Sequence, residues 1–376
     1  MAQQYIGFAQ LSWFKTYGKH DLLLGAAYRY TWYDDNTPAT ATFDEIPQNQ
    51  ASVIRLPGLF IQDEIRINEQ QRLLLGARYD YNSLHGNVFS PRINYKISSR
   101  NNKNILRLSA GNGYRVANVF TEDHAALTGA REVVFEGELQ PETSWNTNLN
   151  FTKKIYAPSG TFVGLDFSAF YTHFDNRIIP DYETDPNKII YGNLDGTAIS
   201  QGVSLNLDVE LNNGLKIFAG GTMQDVSLTE EDVTQRQLLT DRFSAVWSIS
   251  YTLPARNVTF DYTGNVYGPM DLPLLGELDD RLAESPVWSL QNIQITKVFS
   301  KGWEIYGGVK NLLNYTPPAN SIARPFDPFD SEVEFGSDGQ AIPTPNNPNA
   351  LTFDPTYVFA PNQGIRAFLG VRYTVK

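Results

Sequence analysis

The ten residues "GVSLNLDVEL", Gly202 to Leu211, divide by parity: Val203, Leu205, Leu207, Val209 and Leu211 are aliphatic, while Ser204, Asn206, Asp208 and Glu210 are polar or charged. Successive side chains of a strand point to opposite faces, so this stretch predicts a strand with one apolar and one wet face. The alternation returns along the whole chain. In "TFVGLDFSAFYTH" the set Val163, Leu165, Phe167, Ala169 and Tyr171 opposes Gly164, Asp166, Ser168, Phe170 and Thr172. In "NVTFDYTGNVY" Val258, Phe260, Tyr262 and Val266 oppose Asn257, Thr259, Asp261, Thr263 and Asn265.

Fifteen such segments are expected, at approximately 3–15, 20–33, 56–67, 71–82, 88–98, 104–113, 142–155, 161–176, 191–211, 215–226, 239–252, 256–268, 286–299, 302–314 and 361–376. Most reach ten residues or more, against about five or six for a strand of a globular protein. Strands of this length with one apolar face suit the roughly 9–11 residues a tilted strand needs to cross a bilayer. The connections alternate too. Short ones such as "TYGK", "NEQ", "APSG" and "SK" are interleaved with long ones near 34–55, 114–141, 227–238, 269–285 and 315–360, with a brief "LHGN" as the exception. Short turns on one rim and long loops on the other describe an outer-membrane barrel, turns in the periplasm and loops outside the cell. A soluble sandwich with its aliphatic faces packed together gives the same parity. It does not account for strand length, loop segregation or the aromatic residues at strand ends, among them Trp13, Tyr28, Tyr30, Trp32, Tyr79 and Tyr81.

Composition narrows the remaining classes. Hydrophobic residues make up 41% of the 376, and no apolar run is long enough for a membrane-spanning helix. The excess of Tyr and Phe, 20 and 22 residues, favours strands. With 41 acidic against 30 basic residues, net charge −11, and no basic patch, a nucleic-acid partner is not expected. The absence of cysteine removes disulfide scaffolds, thiolate metal sites and Cys nucleophiles. The start, "MAQQYIGFAQLSWF", has none of the regions of a signal peptide, so either the chain is mature and recloned or its natural beginning lies upstream.

Six short motifs then resemble, in order, the C-terminal barrel of the TonB-dependent outer-membrane receptors: "SPRINY" at 90–95, "GNGYRVANVF" at 111–120, "LQPETSWN" at 139–146, "YGN" at 191–193 with "QGVSLNL" at 201–207, "GGVKNLLNY" at 307–315 and "PNQGIRAFLGVRYT" at 361–374. "RPFDPFD" and "TFDPTYVFAPNQG" in the long final loop look most like Bacteroidetes members. The resemblance implies an all-β, antiparallel transmembrane barrel. In that family 22 strands enclose an N-terminal plug domain, and energy arrives through a TonB box at the plug's start. Counted back from the C-terminus, the fifteen segments correspond to the last fifteen strands, leaving the plug, the TonB box and about seven strands without counterpart. Residues 1–376 are therefore expected to be a single partial barrel whose partners are outer-membrane lipid and a plug domain or the missing N-terminal strands, with TonB reached only through the plug. Two departures from the family pattern stand out: Ser204 where many members carry Glu, and an end in Val375-Lys376 without a terminal aromatic residue.

Candidate site residues follow from placement. His20, His85, His124 and His173 have no metal-ligand spacing, and no metal, cofactor or catalytic residue is assigned. His124, beside Glu122 and Asp123 in an expected external loop, touches a metal chelate or forms an ordinary solvated triplet. Tyr114 and Arg115 end a strand at the external mouth, where Arg115 binds an anionic ligand or pairs with Glu122 or Asp123. Phe326, Asp327, Phe329 and Asp330, with Glu230-Glu231-Asp232, grip a cationic or amphipathic ligand or serve packing and solvation. Arg92, Lys96, Asp208, Glu210, Glu304, Lys310, Arg366 and Arg372 are expected to face the lumen, bonding to a plug or simply keeping the lumen wet. The function implied is a non-enzymatic outer-membrane receptor for a scarce or bulky ligand of siderophore, metal-chelate, cobalamin or glycan type, located in the Gram-negative outer membrane. The alternatives are a standalone outer-membrane binding or structural barrel without active transport, and a soluble carbohydrate-binding β protein.

Overall fold

The computed structural model describes residues 2–36, 40–42, 48–115, 132–182, 184–185, 188–274, 280–321, 333–337, 339–353 and 355–375. Nineteen strands are present among them: β1 Gln3–Tyr17, β2 His20–Asp34, β3 Ser52–Arg66, β4 Gln71–Asn82, β5 Gly86–Ser98, β6 Asn104–Arg115, β7 Glu132–Phe135, β8 Glu142–Tyr156, β9 Phe162–Phe174, β10 Ile178–Asp181, β11 Lys188–Asn193, β12 Gly196–Glu210, β13 Leu215–Glu230, β14 Val233–Arg236, β15 Phe243–Leu253, β16 Val258–Tyr267, β17 Trp288–Val298, β18 Trp303–Lys310 and β19 Arg366–Tyr373. Fifteen of them form one antiparallel wall in the order β1-β2-β3-β4-β5-β6-β8-β9-β12-β13-β15-β16-β17-β18-β19, and β14 folds back on β13. β7, β10 and β11 make a separate three-stranded sheet.

Register carries the parity from strand to strand. Leu149, Ala169, Val203, Met223 and Phe243 form one continuous row across β8, β9, β12, β13 and β15. One residue further along the same strands, Asn150, Ser168, Ser204, Thr222 and Ser244 form a polar row on the other face. A slip of one position anywhere would mix the two rows, so the pattern fixes the pairing.

The apolar rows lie outside. Val203 is 42% and Leu205 53% exposed, whereas Ser204 and Asn206 between them are half-buried. A water-soluble sandwich has the opposite distribution, with its aliphatic faces covered by a second sheet. No second layer covers these faces among the described residues, and the two buried apolar clusters lie in the small sheet and at the long-link ends of β16 and β17. Lipid is the solvent that makes such a surface stable.

The connections fall on two rims. Residues 18–19, 67–70, 99–103, 157–161, 211–214, 254–257 and 299–302 are tight, and Gly214, at φ +91°, shows why: a Cβ there would lie 2.5 Å from the carbonyl oxygen of Thr252. Residues 35–51, 83–85, 116–141, 175–195, 231–242, 268–287 and 311–365 link the strands at the other rim. β1 starts at the long-link rim and β19 ends at the short-turn rim, as expected for an odd number of wall strands.

Several expected boundaries shift: the segment at 361–376 is strand only over Arg366–Tyr373, that at 239–252 begins at Phe243, and three others change too. The segment at 191–211 divides at Leu194-Asp195: the Asn193 side chain donates to the carbonyls of Gln140 and Asn176 at 2.9 and 3.2 Å and draws β11 into the small sheet, leaving β12 in the wall. The loop near 227–238 is largely strand, since β13 runs to Glu230 and returns at once as β14. The segment at 302–314 stops at Lys310, because Asn311 adopts φ +53° and its side chain donates to Tyr315 and Gln363 carbonyls at 2.7 and 3.0 Å.

Candidate functional site

All eight charges expected in the lumen fall on the polar parity of the wall, in three separate groups. Arg92 and Lys96 lie on β5. Arg92 donates to Gln62 Oε1, and Gly76 leaves the space its side chain occupies, since a Cβ there would meet Arg92 Nε at 2.9 Å. Lys96 lines a hollow of about 400 Å³ with Glu64, Arg72, Arg107 and Asn150. Beside it Arg107 donates to Asn150 at 2.8 Å, and Asn150 and Thr152 each donate to Asp166 at 2.8 Å, a wet ladder that runs across β6, β8 and β9. Asp208 and Glu210 lie on β12, where Glu210 pairs with Lys216 at 2.9 Å. Glu304, Lys310, Arg366 and Arg372 meet on β18 and β19: Arg372 pairs with Glu304 at 3.1 Å and covers the Tyr306 ring, and Lys310 lies over Phe368.

The long-link rim holds a second constellation. Arg115 directs Nε and Nη2 at Glu142 Oε2, both at 2.7 Å. Only 4% of the Glu142 side chain is exposed, and its other oxygen accepts the Ile178 N–H at 3.0 Å. The Arg177 guanidinium, over the Phe174 ring, belongs to the same group: burial lowers its pKa, the Glu142 charge raises it and Arg115 lowers it. Arg115 is thus committed to a carboxylate 27 residues onward; Glu122 and Asp123, its expected partners, lie outside the described residues, as does His124. Tyr114 lies beside Asn82 and the forked Arg78–Asp80 pair, whose bonds are 2.6 and 2.7 Å.

Sequence reasoning passed over Glu142, Asp80 and Arg177. Only Glu142 carried a signal, a lone acid in "LQPETSWN" at the start of a strand on the mouth side.

Above this group the small sheet packs Tyr182, Ile189 and Tyr191 against Val133, Phe135, Ile178 and Leu238. Between it and the β13–β14 hairpin opens a cleft of about 750 Å³ whose lining includes Arg177, Asp181, Tyr182, Leu228, Glu230 and Arg236. The hairpin tip, Glu231-Asp232, takes two consecutive positive φ values, 47° and 65°, the two-residue turn that matches strand twist. Arg236 pairs with Asp225 at 3.1 Å, and Arg242 with Asp271 at 3.2 Å and with Glu284, which ties the hairpin to link 268–287. By sequence the long links contain 27 acidic and 7 basic residues, a net charge of −20 on one rim of a chain whose total is −11. Phe326, Asp327, Phe329 and Asp330 lie outside the described residues.

His20 pairs with Asp63 at 2.7 Å and His173 with Asp175 at 3.3 Å, at opposite rims. His85 sits in the brief link 83–85, where burial lowers its pKa. Among the described residues no group of three ligating side chains is placed to hold a metal ion.

Residues 2–374 match the family described as TonB dependent receptor-like, beta-barrel. An iron-regulated outer membrane virulence protein of Vibrio cholerae is 30% identical over 121 residues, 32% of this chain and 18% of that protein. Among solved structures, the siderophore receptor PirA from Pseudomonas aeruginosa superposes with a TM-score of 0.58 at 17% identity, covering 84% of this chain and 52% of that one. The copper transporter OprC does so with a TM-score of 0.61 at 13% identity, covering 84% and 51%. These likenesses are of fold, and the chain spans about half the length of the solved proteins it matches.

Proposed function

This chain belongs to the TonB-dependent receptor-like β-barrel family, and from that premise we propose that it forms wall and mouth of a receptor for a scarce or bulky ligand of siderophore, metal-chelate, cobalamin or glycan type. The family is one of receptors and transporters, not enzymes, and its barrels lie in the outer membrane of Gram-negative bacteria. The observation that carries the proposal is the one-sided rim: a rigid wall bears all the long links at one end, where they frame a cleft of ligand size. The net charge of −20 on those links favours a cationic, metal-bearing or amphipathic ligand over a polyanion. By sequence His124, Phe326, Asp327, Phe329 and Asp330 belong to the long links, and we propose that they contact the ligand together with Tyr114, while Arg115 is held by Glu142 and shapes the mouth.

We further propose that a plug domain and additional strands, supplied from outside these 376 residues, complete the lumen, and that TonB acts through that plug. The Bacteroidetes affinity rests on the final-loop motifs alone, since the relatives named above are from Vibrio and Pseudomonas.

The test is complementation. A strain lacking the native receptor should recover uptake when this chain is expressed with its plug-bearing portion and not when it is expressed alone. Uptake by the chain alone would overturn the proposal. Surface binding without uptake in both arms would favour a standalone receptor.

A further inference from the structure

At the long-link rim Arg78, Arg115, Lys188, Arg236 and Arg242 each pair with a carboxylate. Near the short-turn rim Arg66, Arg72, Lys216 and Arg372, on the polar parity of the wall, each pair with a carboxylate as well, whereas the cations of the turns themselves do not. At the short-turn rim the turns carry Lys19, Arg100, Lys103, Arg256 and Lys301 against a single acid, Glu69. Three more cations, Lys15, Lys153 and Lys297, stand near the same rim with the parity of the lipid-facing rows: Lys15 follows Trp13, Lys153 follows Phe151 and Lys297 follows Ile295 on their faces. Among the described residues none of these eight lies within ion-pair distance of a carboxylate. Their contacts are with carbonyls and rings. Lys19 donates to the Ile67 carbonyl at 3.3 Å, Lys297 donates to that of Arg256, and Lys103 lies 5.6 Å from the centre of the Tyr156 ring.

We propose that this rim is a binding belt for anionic phospholipid headgroups of the inner leaflet. It continues an interface already present, because the cations lie directly below the apolar band and level with exposed Tyr17, Phe299, Trp303 and Tyr373. Aromatic residues mark the headgroup level of a barrel. Unpaired ammonium and guanidinium groups there are held beside phosphate by a Coulombic attraction that a zwitterionic headgroup largely cancels. Outward parity points Lys15, Lys153 and Lys297 at lipid and away from the lumen, which favours a headgroup over an acidic periplasmic protein. The proposal rests on the outer face being lipid-exposed, and its test separates the two.

The chain, purified from outer membrane together with whatever completes its wall there, is reconstituted in vesicles of phosphatidylcholine with increasing fractions of brominated phosphatidylcholine or brominated phosphatidylglycerol. Bromine quenches tryptophan on contact, and Trp13 and Trp303 lie on the outer face. Brominated phosphatidylglycerol is expected to compete about fivefold better than its zwitterionic counterpart for each cation site, a preference lost in 1 M salt and reduced in the triple variant K15Q/K153Q/K297Q. Equal quenching by the two lipids in wild type would overturn the belt while leaving the lipid-facing wall intact. Absence of quenching by either would overturn the wall itself, and with it the belt. A preference that survives in the triple variant but is displaced by soluble polyglutamate would reassign the turn cations to an acidic protein partner and overturn the lipid assignment.

Discussion

At the scale of the residue, Glu142 holds the mouth together. It accepts the Arg115 fork, the Ile178 N–H and the field of Arg177 while almost wholly buried. Glu142→Gln keeps the shape but leaves two guanidinium groups facing each other across a neutral amide. The expected cost is about 1–3 kcal/mol, because Arg115 itself is half exposed and water relieves part of the loss. Thermal unfolding in detergent should show a lower midpoint, and limited proteolysis should cut link 175–195 sooner; an unchanged digestion pattern would mean that Glu142 does not anchor it. His85 gives a pH signature. Burial lowers its pKa from the ordinary 6.5, so the folded link binds its proton less readily than the unfolded chain. Its stabilising contribution is therefore complete above the unfolded value and is lost as pH falls through the folded one. A ring titration by NMR is expected to give a midpoint below 6.5, with His85→Gln removing the acid-induced change at Leu84. A midpoint above 6.5 would contradict the buried site. These pairings were largely illegible in the sequence. Arg115 and Glu142 are 27 positions apart, and only the β6–β8 register makes them neighbours.

At the scale of the element, the wall was legible because one physical rule acts on every strand. Each must show lipid a continuous apolar row and the lumen a wet one, and parity records that rule residue by residue; all fifteen expected segments correspond to wall strands. The rim elements obey no such rule. "KIIYGN" forms β11, the central strand of the small sheet, whose one face is fully covered, with Ile189 at 1% and Tyr191 at 3% exposure, while Ile190 between them is half-buried. Its pairing with β7 is parallel and non-local, which alternation cannot reveal. The parity assignment itself is testable on adjacent residues of β12. Leu205→Arg places a charge on the lipid face and is expected to cost about 2–4 kcal/mol in vesicle-based unfolding. Ser204→Arg, one position earlier, projects into the wet face beside Ser168 and Thr222 and is expected to cost far less. Equal penalties, or the reverse order, would show that the two faces have been exchanged.

At the scale of the molecule, topology constrains how the wall can close. β1 and β19 hydrogen-bond only to β2 and β18 among the described residues, and they are among the most exposed strands, with Leu11 at 76% and Leu369 at 80%. Both run from the long-link rim to the short-turn rim. Direct closure would therefore need a parallel seam in an otherwise antiparallel wall, and it would join a strand of 15 residues to one of 8. Seven residues of β1 would keep unpaired backbone groups at membrane depth, each costing several kcal/mol. An odd number of inserted strands gives an antiparallel partner to both edges and removes that cost, which is the physical basis for the proposed additional strands. Because the chain contains no cysteine, introduced pairs report cleanly. Leu369→Cys combined in turn with Ala9→Cys, Leu11→Cys and Trp13→Cys samples neighbouring levels of the outward face of both edges. In native outer membrane these pairs are expected to remain reduced under mild oxidation, since a disulfide needs Cα atoms within about 7 Å and inserted strands hold the edges much farther apart. Efficient cross-linking in any one pair would place β1 against β19, make the fifteen-strand wall self-sufficient, and transfer the weight of the functional proposal from an energised transporter to a receptor that binds at its acidic mouth without one.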